Sequence, residues 1–216
     1  MENPQKSRTQ DHGRSAQLGD SFKEALGYAI DAHAGQLRKG TTIPYAAHLL
    51  AVAAIALEHG ADEETATAAL LHDAVEDAGG WERLQDIRER FGPKVADIVE
   101  GCSDAFEKPK PPWRLRKETF LNQLQDAAPE VHLVVAADKL HNLSSMIRDY
   151  REHGEKVWAR FTATREETLW FSRSAMQILL DRRRTPLTLA LEQAVLQLEA
   201  LCIQKGVARW KNTDIR

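Results

Sequence analysis

Apolar side chains recur along this chain at intervals of three and four residues, the spacing of one face of an α-helix. Phe22, Leu26, Ala29 and Ile30 begin the first such series, and comparable series follow as far as about residue 204. The sequence shows neither a convincing strand-like alternation nor an internal repeat. The pattern therefore predicts an all-α protein, a bundle of roughly nine or ten helices with short connections.

Glycines, prolines and capping residues divide this pattern into separate helices. The predicted helices span about 21–38, 46–59, 63–80, 81–91, 93–99, 113–127, 129–153, 165–180 and 186–204. Ser21 and Glu24 form a candidate capping box for the first of them. Residues 104–112 contain three prolines and are predicted to form a rigid exposed loop, which is a candidate lid.

The chain divides into three predicted parts. Residues 1–18 are polar and are expected to be a disordered leader, residues 19–182 form the main domain, and residues 183–216 form a C-terminal helix and tail. A length of 216 residues suits one domain with a full core. For the last part we expect either self-association through the helix after Pro186 or a solvated helix face.

Composition and charge indicate which binding partners and which cellular compartment to expect. Hydrophobic residues at 43%, charged residues at 28% and a net charge of −3 predict neither nucleic acid nor a membrane as a partner. Cys102 and Cys202 lack the spacing of a metal or redox motif, which fits a reducing compartment. The sequence shows neither an apolar run of about 18 residues nor a signal peptide, so we expect a cytoplasmic protein.

Adjacent polar residues, His72 and Asp73, follow a run of four apolar residues. Burying a charge without a partner costs several kcal/mol, so these side chains are expected to share one, and a divalent metal is the natural choice. If the segment is helical, His72 and Glu76 form one stacked pair, and Asp73 and Asp77 form another. The first pair could hold an ion, and the second could handle protons on a bound water.

His48, Asp138 and Asn142 are further polar residues within apolar helices. For any one of them alone, a satisfied core histidine or a simple ion pair is the stronger explanation. Together with His72 and Asp73, His48 and Asp138 predict a site of two imidazoles and two carboxylates, suited to manganese, iron or zinc. Such a metal lowers the pKa of a bound water and withdraws charge from a phosphoryl oxygen, which predicts a hydrolase.

Three motifs in this order, "RKGTTIPYAAH", "HDAVED" and "DKLHN", resemble those of the HD-domain phosphohydrolases. The resemblance is to the (p)ppGpp hydrolase domain of the RelA/SpoT homologue family, including its small alarmone hydrolases, and it covers about residues 20–180. It implies an α-helical HD fold and a bound manganese ion. It also implies removal of the 3′-pyrophosphate from guanosine tetra- or pentaphosphate, which leaves GDP or GTP.

The resemblance also implies roles for individual residues. His48, His72, Asp73 and Asp138 match the metal ligands, Glu76 and Asp77 match the catalytic acidic pair, and Arg38, Lys39 and Asn142 match nucleotide-binding residues. Physical chemistry supports these roles, because a guanidinium plane such as that of Arg38 stacks well on a purine. A carboxylate within one water of the metal can accept its proton.

A substrate with several phosphates requires compensating cations. The nearest candidates in the sequence are Arg114, Arg116 and Lys117, and the alternative is that they form a solvated helix face. The proline-rich loop departs from the long bifunctional enzymes, and no synthetase domain follows, so we expect a hydrolase-only relative. Two other functions stay open. One is an HD phosphatase acting on a 3′-phosphorylated adenosine, NADPH or a nucleoside monophosphate, and the other is a non-catalytic nucleotide-sensing module.

Overall fold

The structure is a computed structural model and describes residues 18–107 and 109–213, with side chains as far as residue 203. Within these residues it contains ten α-helices, a 3₁₀-helix at Gly154–Arg160 and one isolated β-bridge. The α-helices are α1 Asp20–Ala32, α2 Ala46–Glu58, α3 Glu63–Leu71, α4 Ala74–Ala78, α5 Gly80–Phe91, α6 Pro93–Cys102, α7 Trp113–Gln125, α8 Pro129–His153, α9 Arg165–Arg182 and α10 Pro186–Thr213. The prediction of an all-α bundle is confirmed.

Helix α3 lies at the centre of the fold, where it contacts α1, α2, α6 and α8. Residues 65–71 are all buried, and their small alanine and threonine side chains let the neighbouring helices approach closely. The Asp62 side chain caps the helix by accepting a hydrogen bond from the Thr65 backbone N–H at 2.8 Å. Because α3 is buried along its length, the residues that follow it emerge inside the protein.

The predicted continuous helix over 63–80 is wrong, since α3 ends at Leu71 and the short α4 begins at Ala74. The His72 side chain explains the break. Its Nδ1 lies 2.8 Å from the Ala69 carbonyl oxygen, the acceptor that the Asp73 backbone N–H would use in an unbroken helix. The imidazole therefore replaces one bond of the helical ladder and turns the chain at the motif.

The first helix is also shorter than predicted, because α1 ends at Ala32 and not near residue 38. His33 is the C-cap of α1, and Gly35 follows it with a φ of 76°, a left-handed conformation that favours glycine. The predicted capping box of Ser21 and Glu24 is wrong as well. Gly19 is the N-cap of α1, without a side-chain capping hydrogen bond, and its N–H donates to Glu63 at 2.8 Å.

Helices α8 and α10 complete the bundle, with α10 packed on α8 and α9. The expectation that the chain has no apolar run of about 18 residues is wrong for α10, because Pro186–Ile203 is long and apolar enough to cross a membrane. Core helices of soluble proteins also pass this test. Leu187, Leu191 and Leu198 of this stretch are buried in the bundle. The leader falls outside the described residues except for residue 18, and the domain division and self-association stay predictions.

Candidate metal centre and acidic pair

Four side chains predicted to bind a metal converge where α2, α8 and the end of α3 meet. His48, His72 and Asp138 each offer a ligand atom, and these atoms lie within 4.8 Å of one another. Asp73 Oδ2 lies 3.3 Å from His48 Nε2 and 3.0 Å from His72 Nε2. Asp138 Oδ1 lies 3.2 and 3.7 Å from the same two nitrogens. We call His48, His72, Asp73 and Asp138 the ligand cluster.

The ligand cluster fits a divalent cation. His48 Nε2 and His72 Nε2 are buried and have no hydrogen-bond partner among the described residues. Ligands about 2.1 Å from one ion, at right angles to each other, lie about 3 Å apart, close to most separations in the cluster. Two imidazole nitrogens and two carboxylates suit manganese, iron or zinc. A cation would therefore satisfy both nitrogens that the protein leaves without a partner.

Hydrogen bonds to the other ring nitrogens orient both histidines. His72 Nδ1 donates to the Ala69 carbonyl, which directs Nε2 at the ligand cluster. His48 Nδ1 lies 2.7 Å from Nδ1 of His141. Burial, together with the charges of His48 and Arg38, lowers the pKa of His141 to about 4. A neutral His141 can accept a hydrogen bond at Nδ1 from His48 Nδ1–H, and in that arrangement an unprotonated Nε2 of His48 would face the ligand cluster.

Both carboxylates of the ligand cluster are held by hydrogen-bond donors. The Tyr45 hydroxyl donates to Asp73 Oδ2 at 2.6 Å, and Lys139 Nζ donates to Asp138 Oδ2 at 2.7 Å. Asn142 Nδ2 donates to Asp138 Oδ1 at 2.5 Å. Burial opposes ionisation of the two carboxyls, but the neighbouring histidines and Lys139 keep their pKa values well below the usual range. Both are therefore carboxylates at neutral pH.

The predicted acidic pair lies in α4, where Glu76 is half-buried and Asp77 is exposed. Lys110 Nζ is 2.8 Å from Glu76 Oε1 and 3.6 Å from Asp77 Oδ1, and Gln36 Nε2 donates to Asp77 Oδ2 at 2.9 Å. Burial of Glu76 and the charge of Asp104 raise the pKa of Glu76, while Lys110 opposes the shift. Glu76 is thus suited to accept a proton.

The structure does not bring His72 and Glu76 together as a pair that could hold an ion. His72 faces Asp73 and Asp138 instead, and Glu76 lies against Lys110. The break between α3 and α4 accounts for this, since the stacking argument required an unbroken helix.

The predicted nucleotide-binding residues lie at different places around the ligand cluster. Arg38 Nη2 donates to Asn142 Oδ1 at 2.6 Å, and its guanidinium lies 5.6 Å from the Tyr45 ring centroid. Since Asn142 also contacts Asp138, Arg38 lies next to the ligand cluster. Lys39 is exposed and makes no ion pair within the described part of the chain.

The three basic residues of α7 divide into two environments. Arg116 and Lys117 both form ion pairs with Asp104, whose side chain is only 3% exposed, and Arg116 Nη1 also lies 3.6 Å from Glu76 Oε1. Arg114 lies away from these groups, with its guanidinium 3.4 Å from the Trp170 ring centroid. The predicted solvated face fits Arg114 alone. Arg116 and Lys117 lie beside the acidic pair, where they are already paired.

Sequence reasoning assigned no site role to five contacting residues, which are Gln36, Tyr45, Asp104, Lys139 and His141. Three of them had a signal, since Tyr45 belongs to the first motif and Lys139 and His141 to the third. His141 follows the predicted ligand of α8 by three residues, so it shares its helical face. No sequence pattern indicated Asp104, which lies in the connection before α7 and has its ion-pair partners in that helix.

Known proteins are similar to more than half of this chain. The sequence model of the HD-domain family matches residues 25–169. The bifunctional (p)ppGpp synthase/hydrolase SpoT of Escherichia coli is 35% identical over 128 residues, which are 58% of this chain and 18% of that protein. A guanosine-3′,5′-bis(diphosphate) 3′-pyrophosphohydrolase of Aquifex aeolicus is 36% identical over 149 residues, 68% of this chain and 20% of that protein.

A solved structure, described as a metazoan ortholog of SpoT that hydrolyses ppGpp, superposes with a TM-score of 0.67 and 28% identity. The superposition covers 85% of this chain and 98% of that chain. The curated relatives are much longer, and this chain spans about a fifth of their length. These comparisons support a hydrolase with a site for a metal. Because the family match extends over most of its length, the chain belongs to the HD-domain family.

Proposed function

We propose that this protein is a metal-dependent hydrolase that removes the 3′-pyrophosphate from guanosine tetra- or pentaphosphate, leaving GDP or GTP. The observation that carries the proposal is the ligand cluster with the acidic pair one helical turn beyond it. The relatives named as ppGpp hydrolases supply the substrate class. A 3′-pyrophosphate and a guanine base are therefore the groups to which we assign the surrounding residues.

Within this proposal, His48, His72, Asp73 and Asp138 bind the metal, and manganese is the ion we assign to it. A divalent ion, when bound, supplies Lewis acidity toward a phosphoryl oxygen and lowers the pKa of water. In this assignment both imidazoles bind through Nε2, because the Ala69 carbonyl occupies Nδ1 of His72 and His141 lies against Nδ1 of His48.

Glu76 is the proton acceptor in the proposed reaction. Its raised pKa brings the carboxyl closer to neutrality, so it can take a proton from an attacking water more readily than an ordinary glutamate. Asp77, its neighbour in the pair, orients that water. Lys110 and Arg116, which contact Glu76, supply positive charge for the substrate phosphates.

Arg38 and Asn142 are the residues we assign to the nucleoside. A guanidinium that already lies over the Tyr45 ring has a planar face that a purine can share. The Asn142 amide, bonded to Asp138, lies between the base side and the metal side and suits a sugar hydroxyl.

One observation favours a second candidate, a phosphatase acting on another phosphorylated nucleotide, such as a 3′-phosphorylated adenosine or NADPH. Arg116 and Lys117 are bound to Asp104, and Arg114 lies against Trp170, so few cations are left for a heavily phosphorylated substrate. A nucleotide with fewer phosphates would require fewer of them.

A product assay with manganese separates these candidates. Purified protein is incubated with guanosine tetraphosphate, a 3′-phosphorylated adenosine, NADPH and nucleoside monophosphates, and the products are resolved by chromatography. We expect GDP and pyrophosphate from the first substrate, and loss of this activity after chelation. If phosphate is released from another nucleotide alone, that nucleotide is the substrate. Full activity of the chelated protein would show that hydrolysis does not require the metal.

A further inference from the structure

The connection between α1 and α2 contacts two carboxylates that lie one helical turn apart. Tyr45, at its end, donates to Asp73 of the ligand cluster, and Gln36, at its start, donates to Asp77 of the acidic pair. The backbone ties these two residues together, because the Tyr45 N–H donates to the Gln36 carbonyl at 2.9 Å. The same connection therefore orients a carboxylate in both parts of the site.

The hydrogen bonds around Gln36 fix the orientation of its amide. His33 Nδ1 lies 2.8 Å from Gln36 Oε1, and Gln36 Nε2 lies 2.9 Å from Asp77 Oδ2. The opposite amide orientation would place an oxygen against the Asp77 carboxylate, with no hydrogen between two acceptors. Oε1 must therefore accept from His33, whose Nδ1 carries the proton.

The surroundings of His33 select the same tautomer. The ring is 4% exposed and stacks on Tyr45 with centroids 4.9 Å apart. Its Nε2 is buried without a hydrogen-bond partner among the described residues. A buried acceptor without a partner is tolerated better than a buried N–H without one, so the proton belongs on Nδ1. Burial of Nε2 and the contact of Nδ1 with Gln36 thus favour the same tautomer of His33, with the proton on Nδ1.

We propose that Gln36 is a positioning residue for Asp77 and that His33 holds Gln36 in the required orientation. The inference rests on the proposed function, in which Asp77 orients the attacking water. Gln36 binds Oδ2 of Asp77, and this leaves Oδ1 on the side of Lys110, whose Nζ is 3.6 Å away. Without Gln36, the carboxylate could rotate about its side-chain bonds and turn either oxygen toward the water.

Kinetics of Gln36→Leu test the first part of the proposal. Leucine has a similar size but neither hydrogen bond, and we expect kcat to fall about 10- to 100-fold, with KM and manganese affinity unchanged. Gln85→Leu is the matched control, since Gln85 donates to the Glu89 carboxylate at 2.9 Å on an exposed face of α5. A wild-type kcat, or an equal loss of kcat and manganese affinity, would overturn the assignment.

Two variants of His33 test the second part. His33→Phe keeps a ring to stack on Tyr45 but cannot donate, and we expect it to lower kcat in the same way as the Gln36 variant. His33→Asn returns a donor near the position of Nδ1 and should restore part of the lost kcat. A wild-type kcat for His33→Phe, or a kcat of His33→Asn no higher than that of His33→Phe, would overturn this part of the proposal.

A measurement without substrate keeps the inference separate from the proposed function. Inactivity of the wild-type protein on every guanosine polyphosphate would refute that function and leave the contact network to be tested by NMR. The side-chain amide signals of Gln36 should then shift in both His33→Phe and Asp77→Asn, while the amide signals of Gln85 stay unchanged. Unshifted Gln36 signals in both variants would overturn the proposal.

Discussion

The ligand cluster and the acidic pair lie within two helical turns of each other, yet the protein holds them differently. His48, His72 and Asp138 are buried, and they contact Asp73, a backbone carbonyl and side chains of α8. One hydrogen bond to the cluster, from Tyr45 to Asp73, comes from the connection 33–45. The side chains of Glu76 and Asp77 are 23% and 28% exposed. Their partners include residues of two connections, 33–45 and 103–112.

In the proposed function, this difference would separate metal binding from turnover. Buried side chains held by hydrogen bonds would present a preformed set of donor atoms, which reduces the reorganisation needed to bind an ion. The acidic pair instead has an ammonium partner, Lys110, that a phosphate group could attract away. We therefore expect substitutions in the two groups to affect different measurements, although the groups are adjacent in sequence.

Asp73→Asn should give the largest effect, because it removes a charged ligand while keeping the shape of the side chain. Manganese affinity should fall by more than about 100-fold, since even the loss of an outer hydrogen-bond partner reduces affinity 10- to 100-fold. Isothermal titration calorimetry measures this affinity, with Asp126→Asn, a 90% exposed aspartate, as the control. An unchanged manganese affinity would show that Asp73 is not a metal ligand.

Glu76→Gln should show the reverse, with manganese affinity kept and turnover lost. An amide cannot accept the proton, so kcat should fall by about 10²- to 10⁴-fold, the usual contribution of general base catalysis. Parallel calorimetry and steady-state kinetics on one preparation make the comparison with Asp73→Asn direct. Normal hydrolysis by this variant would refute the assigned role of Glu76. A loss of manganese affinity would show that Glu76 takes part in metal binding.

Lys110→Gln should give the smallest effect and appear in the pH dependence. Burial and Asp104 already raise the pKa of Glu76, and removing the opposing ammonium raises it further. Glu76 accepts a proton only when ionised, so the acid limb of kcat/KM should move to higher pH. The shift should be less than about one pH unit, because a partly exposed ion pair contributes at most ~1 kcal/mol.

The control for this profile is Lys94→Gln. Lys94 also bridges two carboxylates, but these are Asp62 and Glu64 at the start of α3. Its profile should match that of the wild type. A shift of the Lys110→Gln acid limb to lower pH would contradict the proposed coupling to Glu76.

The sequence was informative about features that depend on one residue type acting within its own segment of the chain. Polar residues inside apolar helices indicated the ligand cluster, and glycines and prolines placed most helix boundaries, since both act through the local chain. It was misleading where a side chain competes with the backbone. His72 takes the Ala69 carbonyl and breaks the predicted helix, and no periodicity indicates such an exchange.

Contacts between distant residues were beyond sequence reasoning. Gln36 and Asp104 are ordinary polar residues in connecting segments, and their importance comes from partners that only the folded chain brings near. The basic residues of α7 show the same limitation. Their charge suggested phosphate binding, but only the structure shows that Arg116 and Lys117 are paired with Asp104, while Arg114 stacks on Trp170.

The position of the ligand cluster links metal occupancy to the stability of the whole bundle. Its side chains come from α2, α8 and the segment after α3, which are far apart in the sequence. A cation held there binds the folded chain alone, and at 100 times its dissociation constant it would add about 2.7 kcal/mol to the free energy of unfolding. The melting temperature of the protein would then report the concentration of free metal, even in a variant without turnover.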